Sequence, residues 1–394
     1  MKLIEFIGLI ASIVTLVVVA IQFNFIDIVL IILITVIITI FVTAVVQFDI
    51  IKRLFNGPKI ENPGLVNVRQ KEILRLVNRI RTGQSSSIST FFSEERKAIL
   101  DYLRNENPEQ QKELYGDKAN KLIFSYVDIV LDISKEISCP KFWEIALKPL
   151  AMKQNSELNR AYQICKDNEF NKISLENIIT IINQQGLRLI LLLDKFEVLL
   201  EYPNFKDNWE FFTTLRSLAS LHGAHSPLAL VIASNSSLIT FNKKIQKINP
   251  SASPVLNFIS ETTVLGSLSD TDIDDLLEEH NLSANNRQLI KDMVGGHPYL
   301  LKIIVAEFNK ISNQSDSVEI TDICQNIESI LENMLSSWPS KVREVFFMVG
   351  KQDDISNYKA ELKELEMQGL ISKNNNQWQI RSNIFLKCLK NISR

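Results

Sequence analysis

Long apolar runs open the chain. Residues 6–23 and 28–48 are apolar almost without interruption, and each is long enough to cross the hydrocarbon core of a bilayer as a helix. Their many β-branched residues would favour strands in water, but a segment in lipid must satisfy its backbone hydrogen bonds internally. A transmembrane helical hairpin is therefore the expectation. The connection around Asn24 and Asp27 carries no Lys or Arg, whereas Lys2 precedes the first span and Lys52 and Arg53 follow the second. By the positive-inside rule both termini are cytoplasmic, which predicts a two-pass protein of the inner (cytoplasmic) membrane. A cleaved signal peptide fits less well, because the first run exceeds a usual h-region and a second span follows at once.

Beyond the Pro- and Gly-containing residues 56–63 (NGPKIENP), the pattern becomes that of a water-soluble body. Helical spacing recurs in residues 66–80 through Ile73, Leu74, Val77 and Ile80, and again in 94–103, 142–150, 171–183 and 211–221. Between these lie short strand-like runs: 85–89 (SSSIS), 121–131 (KLIFSYVDIVL), 187–193 and 228–233 (LALVIA), with 263–268 a further extended stretch. Residues 187–193 are Leu and Ile apart from Arg188, and Asp194 follows directly. An apolar run of that kind reads as a parallel strand covered on both faces. Strands alternating with helices predict an α/β domain around a parallel sheet. In such sheets ligands bind beyond the carboxyl ends of the strands, so Asp194 stands where chemistry is expected.

The last third is helical, with an Asp-rich helix start at 269–279, two helical patterns in 326–349 and another in 360–369. Residues 370–372 and 377–380 can pair as a hairpin around Asn374 to Asn376. Helices followed by a two-stranded wing suggest a small winged-helix domain.

Composition narrows the function classes. A formal net charge of -2 offers no overall pull toward nucleic acid, and the helix from Tyr358 carries Glu361, Glu364 and Glu366, a poor surface for phosphate. Cys139, Cys165, Cys324 and Cys388 are widely spaced without a C-x-x-C pair, which suggests neither a zinc site nor a disulfide framework and fits a reducing cytoplasm.

Residues 83–103 read GQSSSISTFFSEERKAILDYL, residues 191–205 read LLLDKFEVLLEYPNF, and residues 295–301 read GGHPYLL. Together they resemble the nucleotide-binding domain of bacterial STAND ATPases, a branch of the AAA+ P-loop superfamily. The corresponding family patterns are similar to GQSxSIxGPRRxGKTSLLxxL, LLLDEFExLxxxPxF and a Gly-x-Pro motif before the helical lid. The resemblance implies a P-loop NTPase-like parallel sheet with a helical lid and a C-terminal winged-helix domain, preceded by the transmembrane hairpin. It divides the chain into the hairpin (1–50), a linker (51–65), the α/β domain (66–268), the lid (269–325) and the winged-helix-like domain (326–394).

The same resemblance implies ATP and magnesium as ligands, with Arg69, Thr90, Glu95, Arg96, Lys97, Asp194, Asn235, His297 and Pro298 as the nucleotide-binding candidates and Asp194 as the magnesium residue. Several of these depart from the pattern. Thr90 and Glu95 occupy the two loop glycines, whose backbone freedom lets amides surround phosphates. Arg96 takes the place of the lysine and Lys97 that of the Ser/Thr. Lys195 stands where a glutamate would orient the attacking water, and an ammonium has no acceptor for that proton. Glu94 to Lys97 can equally be a solvated, mutually compensating helix start, and Glu95 and Lys195 could pair with each other. The expectation is a membrane-anchored STAND-like signalling or assembly module with a degenerate site, no efficient ATP hydrolysis, and a homo-oligomeric or protein partner besides the lipid bilayer. The alternatives are an unconventional ATP-binding switch or ATPase, including one in bacterial defence, and a membrane-tethered DNA-binding protein.

Overall fold

The structure is a computed structural model; it describes residues 66–133, 136–206, 208–223, 226–248, 257–259, 261–278, 280, 282–312 and 320–392. All of them fall in the second of the two units into which the chain divides, Pro63–Arg394. The apolar runs at 6–23 and 28–48 and the linker to residue 65 lie outside the described residues. Among the described residues no helix is long and apolar enough to cross a membrane.

The first half alternates as the hydrophobic pattern predicts. It runs α1 (Gln70–Thr82), β1 (Ser86–Ser89), α2 (Ser93–Leu103), α3 (Pro108–Tyr115), β2 (Leu122–Asp128), α4 (Cys139–Met152), α5 (Ser156–Asp167), α6 (Lys172–Gln184) and β3 (Arg188–Asp194). A 3-10 turn (Phe196–Glu201) leads through α7 (Pro203–Lys206) and α8 (Trp209–Ser220) to β4 (Leu228–Ser234), α9 (Leu238–Ile248) and β5 (Thr262–Val264). The five strands form one sheet in the order β2-β3-β4-β1-β5 with every pairing parallel.

β3 shows why this sequence makes an interior strand. Leu189, Leu191 and Leu193 enter the core under α4, α5, α6 and α8, whereas Ile190 and Leu192 enter the core under α1 and α2. Each such side chain contributes about 1.5–3 kcal/mol by leaving water. Arg188, the one interruption, donates through Nη1 to the carbonyls of Ile80 (3.2 Å) and Arg81 (2.9 Å) at the C-terminus of α1. It satisfies helix-end acceptors that would otherwise lack partners.

β2 is shorter than the apolar run that announces it. The Asp128 carboxylate accepts from the backbone N–H of Val130 (2.9 Å) and Leu131 (3.1 Å), a local turn that competes with strand geometry. Leu131 is consequently 76% exposed. Two helices, α3 and α5, are marked by their caps. Asn107 and Asn155 each accept from the backbone amides of the first helical turn.

The remaining elements are α10 (Asp270–Glu278), α11 (Ala284–Val294), α12 (Pro298–Ser312), α13 (Ile320–Ser336), α14 (Ser340–Lys351), α15 (Lys359–Met367), the antiparallel hairpin β6–β7 (Ile371–Asn374, Gln377–Ile380) and α16 (Asn383–Ile392). They share a third core, into which Phe91 and Phe92 from the β1–α2 turn also pack. Gly296 sits at φ +94°, and a Cβ there would lie 2.7 Å from Ser267 Cβ. A side chain at Gly369 would likewise meet the backbone N of Ser267 at 2.6 Å. The C-terminal helices can therefore close on the segment after β5 only because these two positions lack a side chain.

Candidate functional site

The carboxyl ends of the strands lie level. Asp128 of β2 is in register with Asp194 of β3, and Ser89 of β1 with Ser234 of β4. Only Thr90, Phe91 and Phe92 separate β1 from α2. The Thr90 amide donates to the Ser234 carbonyl (3.1 Å), and its hydroxyl accepts from the Phe92 amide (3.2 Å), fixing a tight turn. The two phenylalanines are buried. Phe91 lies 5.0 Å from Trp338 between ring centroids, and Phe92 lies 4.6 Å from His297 and 6.2 Å from Tyr299.

Neighbouring residues of α2 reach different partners, since successive side chains of a helix diverge by about 100°. Arg96 Nε donates to Asp194 Oδ1 at 2.5 Å and its Nη1 to the Thr90 carbonyl at 3.3 Å, and the side chains of Arg96 and Asp194 are both 3% exposed. Asp194 also accepts from its neighbour's amide, Lys195 N (2.8 Å), and from Tyr126 Oη (3.3 Å). Glu95 turns the other way and accepts from Arg69 Nε at 2.6 Å, while Arg69 Nη2 donates to the Gly266 carbonyl. Burial raises the Glu95 pKa, with the Arg69 charge opposing it. Lys97 is exposed on α2.

Lys195 adopts left-handed backbone angles, φ 57° and ψ 38°, which are uncommon for a residue with a side chain. Its ammonium lies 2.9 and 3.2 Å from the two oxygens of Asp128. Glu95 and Lys195 thus pair with Arg69 and Asp128 respectively, not with each other: the fold supplies each a nearer opposite charge. Glu197, two residues beyond, is buried and accepts from the Asn235 amide (3.3 Å), and burial raises its pKa. The Asn235 side chain donates to the Ser337 carbonyl (3.1 Å).

The residues of the GGHP motif sit under the same roof. His297 is 1% exposed and Pro298 begins α12. Burial, helped by the Arg69 and Arg381 charges, lowers the His297 pKa to about 3. The imidazole is therefore neutral. From α15, Glu364 accepts from the Ser237 amide (2.8 Å) and the Thr240 hydroxyl (2.8 Å), and Gln368, just beyond its end, donates to Ser89 Oγ (3.2 Å).

The structure thus gathers Thr90, Arg96, Asp194, Asn235 and Glu197 at the strand ends, with Arg69, Glu95 and His297 beside them. Sequence reasoning passed over Tyr126, Asp128, Trp338 and Gln368, and took Glu364 for part of an acidic surface, whereas it is buried. Asp128 alone had a signal, being an acidic residue in the same kind of apolar run as Asp194. Among the described residues no three His, Cys, Asp or Glu side chains form a group able to hold a metal.

A parallel sheet of this order, with an acidic residue ending an interior strand and a strand–turn–helix beside it, is an α/β fold that resembles that of P-loop ATPases. The family model for the AAA-like domain matches residues 172–391, more than half of the chain, and the chain belongs to that family. The matched span takes in Asp194, Asn235, His297 and Pro298 but begins after the β1–α2 turn. Among solved structures, the Walker-type ATPase PABY2304 of Pyrococcus abyssi is similar over 82% of this chain and 95% of its own, with 13% identity and a TM-score of 0.51. At that identity the likeness speaks for the fold. The ORC2 protein of Aeropyrum pernix, with ADPNP and ADP bound, aligns over 86% of this chain and 97% of its own at 11% identity and a TM-score of 0.45. Comparison with curated proteins finds no match.

Proposed function

We propose that this AAA-like domain works as a signalling or assembly module of the STAND type, held at the inner membrane by residues 6–48, and that its nucleotide site is degenerate. The observation that carries this reading is the buried Arg96–Asp194 pair. A magnesium nucleotide in the ordinary mode needs a carboxylate free to steady the metal and a cation free to meet phosphate. Here each occupies the other. Phe91 and Phe92 fill the turn where main-chain donors would have to surround a triphosphate, and that turn contains no glycine. Lys195 is held by Asp128. These residues do not fit a magnesium nucleotide held in the ordinary mode.

The STAND affiliation rests on the stretches at 83–103, 191–205 and 295–301, and the two-pass topology with cytoplasmic termini rests on the hydropathy and the Lys and Arg of the flanks. The helices and hairpin of residues 326–394 are read as a winged-helix domain that packs on the strand ends rather than as a nucleic-acid reader. A homo-oligomer or a protein partner on the cytoplasmic face completes the proposal.

A second reading, an ATP-responsive switch, has one observation in its favour. Glu95 Oε2, both ring nitrogens of His297, Trp338 Nε1 and Gln368 Oε1 are buried without hydrogen-bond partners, at about 1–3 kcal/mol each. An alternative arrangement that satisfied them would recover that cost. Equilibrium titration of the purified chain with ATP, with and without magnesium, separates the readings. The module reading expects no saturable binding. Magnesium-dependent saturation that disappears in Asp194→Ala would replace it with the switch.

A further inference from the structure

Cys324 of α13 and Cys388 of α16 are 64 residues apart in sequence, yet their sulfurs lie 2.7 Å from each other. Both are buried in the C-terminal core. The sulfurs are near enough for a disulfide bond, about 2.05 Å long, to close between them. The two thiols are not equivalent. The Cys388 S–H donates to Cys324 and lowers the Cys324 pKa, with the Lys387 charge adding to the effect. The same contact and burial raise that of Cys388. Cys324 is thus the better nucleophile and Cys388 the group placed to resolve it, since the thiolate is the reactive form.

We propose that Cys324 and Cys388 form a reversible disulfide that fastens α16 to α13, with hydrogen peroxide as the oxidant. The Cys324 thiolate attacks one peroxide oxygen, the O–O bond breaks, and Cys324 becomes a sulfenic acid as hydroxide leaves. Cys388 sulfur then attacks the sulfenic sulfur, its proton leaves with the displaced hydroxide as water, and the S–S bond closes. Overall, two thiols and one peroxide give one disulfide and two waters. A thiol reductant reverses the bond.

The bond reaches the candidate site through packing. α16 also carries Phe385, whose ring lies 6.1 Å from Trp338, and Trp338 lies 5.0 Å from Phe91 in the β1–α2 turn. Fastening α16 therefore stiffens the layer that covers the strand ends.

The test uses the full chain, reduced, treated with hydrogen peroxide, quenched with catalase and then denatured for thiol counting. The four thiols fall to two, non-reducing peptide mapping joins the Cys324 and Cys388 peptides, and dithiothreitol restores all four. In Cys388→Ser the oxidation stops at a Cys324 sulfenic acid that dimedone traps. Amide exchange in α16 slows on oxidation of the wild-type chain. Persistence of four thiols under conditions that oxidise the unfolded chain, or a linkage through Cys139 or Cys165, overturns the proposal. The mapping is made on unsubstituted protein, so its outcome does not depend on how the serine variant folds.

Discussion

Arg96 and Asp194 have both left water, so each depends on the other for compensation. Arg96→Met leaves a buried, uncompensated carboxylate and is expected to lower stability by about 3–5 kcal/mol in urea denaturation. Arg96→Met with Asp194→Leu is expected to recover part of that loss, because an apolar pair needs no compensation. Strict additivity of the two single variants would show that the charges do not act as a pair. His297 supplies a pH signature. Its folded pKa, about 3, lies below the ordinary 6.5, so between those values the unfolded chain binds a proton that the folded chain refuses. Its contribution to stability is present above pH 6.5 and is lost as pH falls toward 3. The slope is at most about 1.4 kcal/mol per pH unit. His297→Phe should flatten the pH dependence of the unfolding free energy across that window, and an unchanged slope would show that the imidazole is protonated in the folded state.

At the scale of elements, the decisive contact is α15 on the start of α9. Glu364 places a carboxylate against the Ser237 amide and the Thr240 hydroxyl; Ser237 Oγ caps the helix through the Thr240 amide, and the carboxylate holds that cap residue near the positive end of the dipole. Glu364→Ala is expected to cost about 1–3 kcal/mol, because it leaves its donors without a partner. Because the contact joins the C-terminal helices to the sheet domain, hydrogen exchange should accelerate in both α9 and α15. Acceleration confined to α15 would mean that α9 has no need of the Glu364 carboxylate. The β1–α2 turn works by the same logic of shared elements. It belongs to the sheet domain by sequence but contributes Phe91 and Phe92 to the C-terminal core.

For the whole molecule, that exchange of side chains predicts cooperativity. The sheet domain and the C-terminal helices should unfold together in a single calorimetric transition, since Phe91 and Phe92 are buried only while both are folded. Phe91→Ala with Phe92→Ala removes rings worth about 3–5 kcal/mol apiece and should split the transition into two. Two transitions already present in the unsubstituted chain would sink this expectation.

The alternation of strands and helices, the buried character of β3 and the position of Asp194 at its end were legible in the sequence, because periodicity and unbroken apolar runs report burial directly. So were the hairpin of the C-terminal region and the oddity of a turn without glycine beside Glu95, Arg96 and Lys97. The caps at Asn107 and Asn155 were also written there. What only the tertiary structure decided is which charge meets which. Opposite charges at two motif positions suggested Glu95 with Lys195, but the sheet register puts Asp128 beside Lys195, and Arg69, at the start of α1, lies beside Glu95. The pairing of Cys324 with Cys388 and the capture of Phe92 by His297 belong to the same class. Such contacts join residues far apart in the chain, and their energies depend on distance and burial, quantities that no local pattern of residues contains.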